Sequence, residues 1–494
     1  MNQMEDLRER TVRGGLAKVV AQGVSFFVRV GSLMILARLL DPKDFGLVGM
    51  VTAVVGVLNL FRDFGLSTAS VQRVHISEEQ VSTLFWINML VGALLASVAA
   101  GMAPFISHFY REPALMWVTV ILSASFLFNA AGVQHQALLQ RDMRFTTLSI
   151  VDILSISVSS TIGILMALKG FAYWSLVAST IAAPLISSLS YWIASGWRPG
   201  RMYKNVGIRS MIRFGGTLTL NQLVVYVAYN LEKVLLGRYW GASVIGIYGR
   251  AYQLANIPTE NLNSAVGGVV FSALSRLQED TKRFRSYFLK GYSLVLVLTI
   301  PITLVCCLFA KELISVLLGP KWQEAVPIFR LLAPTIMIYA LINPLSWVLF
   351  SLGLVGRSLR VGLVLAPLVI AGYLIGLPYG PRAVALAYSS VMLLWVIPHI
   401  AWCVHGTIIS LRDILIAVSK PLASALVAGG VAMGCIELFG EFLTPLGRLL
   451  LGTSVLLSGY VAMLFYVMKQ KAFYLDIVRT MRRRATVEKG LVPA

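Results

Sequence analysis

What most constrains this chain is the recurrence of apolar runs long enough to cross a bilayer. Read between charged or turn-rich breaks, they fall at 16–38, 45–64, 83–107, 114–136, 147–168, 172–194, 214–237, 244–270, 289–310, 325–350, 359–377, 383–404, 416–437 and 447–468, fourteen in all. A helix needs about 20 apolar residues to span the hydrocarbon. Inside lipid a chain must satisfy its backbone N–H and C=O groups within itself, so each run is expected as a transmembrane helix. Only 13% of the 494 residues are charged, against roughly 25% in soluble domains. No loop is longer than about twenty residues, too short for a folded extramembrane domain. The expected fold class is therefore an all-α polytopic membrane protein.

The formal charge of +20 fits this reading without nucleic acid as a partner. Lys and Arg hold cytoplasmic loops inside. With charges near a span end counted with the adjoining loop, one alternate set of segments, both termini included, carries 28 of the 42 and the other set 9. Both termini are thus expected in the cytoplasm, with Arg482, Arg483 and Arg484 in a tail near anionic lipid. The N-terminal MNQMEDLRERTVRGG has no short apolar core with a small-residue cleavage site, so no cleaved signal peptide is expected. Cys306, Cys307, Cys403 and Cys435 sit in apolar runs, without the spacing of a metal or redox motif.

An internal repeat lies at an offset of 200 residues. Residues 13–49 match 213–249 at Arg13/Arg213, Gly15/Gly215, Gln22/Gln222, Val24/Val224, Leu36/Leu236, Arg38/Arg238, Gly46/Gly246 and Gly49/Gly249. Arg, Gln and Gly are not favoured by apolar composition, so these identities read as a duplication. Six spans separate the copies, an even number, so they share an orientation and are expected about an axis along the membrane normal. The expected organisation is an N-lobe at 1–194, a basic cytoplasmic linker at 195–213, a C-lobe at 214–405, and two further spans with a basic tail at 406–494.

An ionisable group at the bilayer centre costs about 2.5–3.5 kcal/mol, so those inside spans are candidate site residues. In span one, Lys18, Gln22, Ser25, Arg29 and Ser32 fall within an arc of roughly 80° at helical spacing. The structural alternative for Arg29 is an ion pair with Asp152 of span five. Span seven, the repeat partner, carries Gln222, Tyr226, Tyr229, Asn230 and Lys233; span two adds Asn59, Arg62 and Asp63; span eight adds Arg250, Gln253, Asn256 and Glu260. Facing one another, these helices line a wet, mainly cationic cavity with aromatic walls. Arg62 lies near enough to the cytoplasmic end to snorkel.

Forked guanidinium donors and a lysine point charge suit phosphate oxygens, whereas a cavity for organic cations calls for unpaired carboxylates. Asp63, Asp152 and Glu260 are candidates for coupling to a proton or sodium ion, or for neutralising neighbouring arginines. The histidines have no ligand spacing, and no Walker loop, GxSxG or HExxH occurs, so no catalytic residue, metal or soluble cofactor is expected. Pro258, Pro301, Pro327, Pro334, Pro344, Pro367 and Pro398 cluster in spans of the second lobe, where each can kink its helix.

The stretches LARLLDPKDFGLVGMV (36–51), FRDFGLSTASVQR (61–73), EEQVSTLFWIN (78–88), LLQRDMRF (138–145) and GFAYWSLV (170–177) resemble the polysaccharide-transport, Wzx-type branch of the multidrug/oligosaccharidyl-lipid/polysaccharide exporter superfamily. The resemblance implies a MATE-like fold of two six-helix lobes plus two C-terminal helices, working by alternating access in the bacterial inner membrane. Its implied substrate is an undecaprenyl-diphosphate-linked oligosaccharide, flipped between leaflets for exopolysaccharide, O-antigen or capsule synthesis, with a polymerase or copolymerase as a further partner. Family cavities carry basic residues for the diphosphate-sugar headgroup; Lys18, Arg29 and, as a further candidate, Arg250 fit here. Two other readings are a multidrug cation antiporter of the same superfamily and a membrane-embedded glycan polymerase or ligase. The cationic face argues against the first and the short outward loops against the second.

Overall fold

The computed structural model describes the backbone of residues 2–62, 77–203, 209–440, 442–472 and 474, and the side chains of all of these except 2–19, 209–225, 227–229, 260–265, 268, 269 and 272. Its α-helices are α1 (Asn2–Leu39), α2 (Pro42–Asn59), α3 (Glu78–Gly101), α4 (Ala103–Tyr110), α5 (Ala114–Arg141), α6 (Phe145–Leu168), α7 (Trp174–Ser195), α8 (Arg209–Leu274), α9 (Thr281–Leu308), α10 (Ala310–Leu317), α11 (Ala325–Leu332), α12 (Pro334–Ile342), α13 (Leu345–Ser351), α14 (Val355–Gly376), α15 (Pro381–Val404), α16 (Leu411–Phe439) and α17 (Pro445–Ala462). Among the described residues eleven helical stretches are long and apolar enough to cross a membrane. Each falls on one of the expected spans, as Phe145–Leu168 does on 147–168 and Pro381–Val404 on 383–404. The expected runs at 45–64, 214–237 and 244–270 fall on α2 and on the two arms of α8.

Local chemistry explains where helices start and break. Ser77 Oγ accepts from Gln80 N, and Gln80 Oε1 accepts from Ser77 N, both at 3.2 Å, a capping box that fixes the start of α3. The arms of α8 meet at Gly241, with φ 84° and ψ 178°, a conformation open to glycine but not to residues with a Cβ. The run 325–350, expected as one helix, is three: Pro334 begins α12 and Pro344 precedes α13. A helix break inside a span leaves nearby carbonyls that must find other donors. Ser389 Oγ donates to Leu331 O at 2.7 Å and Tyr292 Oη to Leu341 O at 3.1 Å.

The chain divides by packing into two compact units, residues 1–249 with 317–321, and residues 250–316 with 322–494. The expected boundary lies at the 195–213 linker, whereas packing divides the chain at Gly249, inside α8, so the first arm of α8 belongs to the first unit. In that unit α3 packs on α5, α5 and α6 on α7, and α1 on α6. Small residues allow the close approach usual between membrane helices: a Cβ added at Gly92 would meet Ala130 Cβ at 2.4 Å. In the second unit α14 pairs with α15, and α16 and α17 pack on α9. Phe309, Ala432 and Leu456 form the core of that last group. Arg285 grips Asp413 with two nitrogens, Nε donating to Oδ2 at 2.9 Å, and Tyr460 Oη donates to Val297 O at 3.0 Å. The two helices without a repeat partner are thus tied to the second unit. The four cysteines are free thiols, Cys306 and Cys403 buried.

Candidate functional site

The polar stripe of α1 changes character along the helix. Gln22 and Arg29 are exposed, and Arg29 makes no ion pair or hydrogen bond among the described residues. Leu33, Leu36 and Leu40 project within roughly 40° of Arg29 at about 100° per residue, yet all three are buried. One face of α1 is therefore accessible in its first part and closed toward its C-terminal end.

Beyond the end of α1, α2 crosses the second arm of α8 inside the first unit. A Cβ at Gly46 would lie 1.7 Å from Ala242 O, and a Cβ at Gly246 would lie 1.8 Å from Pro42 O. The two contacts are reciprocal under the 200-residue offset, since Ala242 occupies the repeat position of Pro42 and Gly246 that of Gly46. Both positions of the pair thus meet each other's backbone, as in an isologous contact. Around it, Lys321 Nζ donates to Asp41 Oδ1 at 2.7 Å. Gly319 lies against the Arg38 side chain, and Gly237 against Tyr110, Met50 and Ile245. Lower on α2, Tyr226 from the first arm of α8 fills the notch left by Gly56. Its hydroxyl is 3.4 Å from both Thr52 O and Ala53 O, and a Cβ at Gly56 would lie 1.9 Å from it.

The other expected site residues are distributed as follows. Asn230 Nδ2 donates to Tyr226 O at 3.0 Å and Lys233 Nζ to Asn230 Oδ1 at 2.8 Å, so Tyr226, Asn230 and Lys233 form one hydrogen-bonded ladder. It borders an apolar pocket of about 230 Å³ walled by Ala53, Val57, Phe105 and Phe109. Asn59 is exposed at the end of α2, and Arg62 donates to Asn129 Oδ1 at 3.0 Å, a partner on α5 that single-helix periodicity does not reveal. Asp152 accepts from Tyr191 Oη at 3.2 Å, and the alternative Arg29–Asp152 ion pair is not formed. In the second unit, Arg250 donates to Gln253 Oε1, one turn along the same helix. Lys18, Asp63, Gln222, Tyr229 and Glu260 lie outside the residues whose side chains are described. No cluster of three or more His, Cys, Asp or Glu side chains able to hold a metal occurs among the described residues.

Residues 35–327 match the family model described as polysaccharide biosynthesis protein. The chain is 26% identical over 376 residues to lipopolysaccharide biosynthesis protein WzxC of Escherichia coli (strain K12), covering 75% of this chain and 76% of that one. It is 30% identical over 296 residues to teichuronic acid biosynthesis protein TuaB of Bacillus subtilis (strain 168), covering 59% and 61%. Among solved structures, the lipid II flippase MurJ in an inward closed conformation superposes with a TM-score of 0.73 at 16% identity, over 92% of this chain and 99% of that one. The fold is that of MurJ.

Proposed function

The chain belongs to the polysaccharide biosynthesis protein family, within the multidrug/oligosaccharidyl-lipid/polysaccharide exporter superfamily, and from that premise we propose that it flips a lipid-linked oligosaccharide across the bacterial inner membrane. The observation that carries the reading is the stripe of α1: the Arg29 guanidinium, exposed on a span, with no ion pair or hydrogen bond among the described residues. A cation within a span and without a counter-charge is costly, and a diphosphate is a ligand that turns this cost into binding through forked N–H···O contacts. The substrate is an undecaprenyl-diphosphate-linked repeat unit. Its headgroup docks on Arg29, Gln22 and Lys18 of the first unit, with Tyr226 and Lys233 as further contacts of that unit; in the second unit, Arg250 and Gln253 are candidate substrate contacts in their own right.

Both termini face the cytoplasm in this account, which places the Gly46/Gly246 crossing at the outer end. Turning the headgroup outward requires that crossing to part. No covalent step is assigned to the chain; a downstream polymerase acts on what it delivers. The test replaces Arg29 in the host that makes the polysaccharide. Arg29→Ala is expected to trap precursor with its sugars inside, and Arg29→Lys to restore part of the flux; full surface polysaccharide from Arg29→Ala at normal protein levels would remove this residue from the site.

A further inference from the structure

Within the first unit, α2, α4 and the first arm of α8 border the apolar pocket of about 230 Å³. Ala53 and Val57 on α2, Phe105 and Phe109 on α4, and Leu231 and Val234 on α8 supply its walls, with the two phenylalanine rings stacked at 6.1 Å and 20°. The volume is below the roughly 300–1,000 Å³ of sites that bury a drug-sized molecule, so the pocket takes a length of chain rather than a whole compound. Its polar lining groups are engaged by the protein. Tyr226 Oη approaches Thr52 O and Ala53 O, Asn230 Nδ2 donates to Tyr226 O, and Asn230 Oδ1 accepts from Lys233 Nζ. What the pocket offers a guest is therefore contact with hydrocarbon, which its bare walls lack until a guest enters.

One wall reaches the lipid-facing surface. Along the span Glu78–Tyr110, Leu90, Leu94, Val98 and Phe105 fall within roughly 80° of one another at helical spacing. All four are exposed, Phe105 by 63%, an apolar stripe of the kind that lipid tails cover.

A cation stands at one end of the pocket. Tyr226, Asn230, Val234 and Arg238 recur every four residues on α8, each about 40° on from the last. Arg238 Cζ lies 5.7 Å from the centre of the Phe109 ring. This guanidinium therefore packs on a pocket wall, one turn before the crossing at Ala242. It pairs with no carboxylate among the described residues. Glu112, just past α4, pairs with Lys43 at 3.7 Å, and Glu232, buried on α8, projects about 160° from Asn230.

An apolar slot that runs directly up to a cation selects among lipids. A glycerolipid places a glycerol and its ester groups between phosphate and chains, and the polar groups of this pocket are already committed elsewhere. A prenyl phosphate carries its hydrocarbon on the carbon bonded to the phosphate oxygen, so apolar wall and cation follow one another as chain and anion do. We propose that this pocket binds the chain of a prenyl diphosphate at its phosphate end, with Arg238 holding the diphosphate through forked N–H···O contacts. The inference rests on the flippase reading for the orientation of the chain in the membrane, and adds to it a site apart from the α1 stripe. With the crossing at the outer end, the site holds the lipid carrier with its diphosphate on the outer side, after transfer.

The test uses the intact protein in lipid nanodiscs and a prenyl diphosphate bearing a diazirine on its chain near the phosphate, with labelled peptides read by mass spectrometry. Light is expected to fix the probe to peptides containing Phe105, Phe109 and Leu231, and excess unlabelled prenyl diphosphate to suppress this about tenfold; labelling confined to other helices overturns the proposal. A phosphatidylglycerol with a diazirine in its acyl chain is expected to label these peptides several-fold less, and equal labelling makes the pocket an ordinary lipid contact and overturns it. Val57→Phe fills the slot and Arg238→Gln removes the anchor. Each is expected to cut the competed labelling several-fold at an unchanged melting temperature, and wild-type labelling in either folded variant overturns it. The readout needs no flipping: a wild type that is labelled here but moves no precursor in vesicles counts against the flippase reading, whereas one that moves precursor and is not labelled here removes this site alone.

Discussion

Adding one methyl group at Gly46 should open the closed end of the first unit. The Cβ would stand 1.7 Å from Ala242 O, 2.4 Å from its carbonyl carbon and 3.0 Å from its Cα. All three are backbone atoms, so no rotamer change relieves the clash. A carbon and a carbonyl oxygen settle no closer than about 3.3 Å, so α2 and the second arm of α8 must separate by about 1.6 Å at this level. Interdigitated packing does not absorb such a shift gradually; overpacking of this kind costs about 1–3 kcal/mol. If that cost falls on the closed form alone, about 2 kcal/mol moves the balance roughly 30-fold toward forms in which the crossing is parted. The ion pair Lys321–Asp41, 2.7 Å long, reports on the crossing. Cysteines replacing those two residues should join efficiently through a short bifunctional thiol reagent in the parent, and several-fold less in the Gly46→Ala background. Flipping should fall with it. Two controls separate gating from general damage. Gly49→Ala meets only Ile245 Cγ2, at 3.1 Å, and Gly23→Ala has nothing within 4 Å, so the first should be mild and the second silent or slightly stabilising through helix propensity. Undiminished cross-linking and normal flipping in a well-folded Gly46→Ala protein would refute the reasoning.

Further outcomes follow from other contacts. Removing either partner of the Arg285–Asp413 pair should lower the melting temperature, because Asp413 is 8% exposed and would be left without its guanidinium, whereas Arg285→Met with Asp413→Leu should recover most of the loss; thermal unfolding of the four proteins measures this as a cycle. Pro334→Ala restores an N–H that can donate to the Arg330 carbonyl and lets α11 and α12 join, so flipping should slow while expression and melting temperature hold or rise; unchanged transport would take this break out of the moving parts. Reporter fusions at both ends of the chain should be active only as cytoplasmic reporters, as the bias of Lys and Arg requires, and a periplasmic signal from either end would invert the assignment of inner and outer faces.

The helices were legible in the sequence because bilayer thickness fixes how long an apolar run must be: 383–404 and 447–468 became Pro381–Val404 and Pro445–Val467. Less legible was what a proline does inside a run. Pro334 and Pro344 stand at the breaks that divide 325–350 into three helices, and the nearby Leu331 and Leu341 carbonyls accept from Ser389 and Tyr292 on neighbouring helices, which no single-helix pattern contains. The Arg29 face was visible from spacing, but its closure was not, since Leu33, Leu36 and Leu40 look like any lipid-facing leucines until another helix covers them. The repeat identities Gly46/Gly246 could be seen in the sequence, but only the crossing at Ala242 and Pro42 gives them a reason.

The most direct test of the central claim is the leaflet in which the lipid-linked precursor resides. Purified protein reconstituted into vesicles with a polyprenyl-diphosphate oligosaccharide, then probed with a membrane-impermeant glycan-modifying reagent, reads this out. The account predicts that wild type renders the inner-leaflet half of the precursor accessible and that Arg29→Ala and Gly46→Ala do so at well under a tenth of that rate. Precursor that stays protected with wild-type protein, or becomes equally accessible with all three, would contradict it.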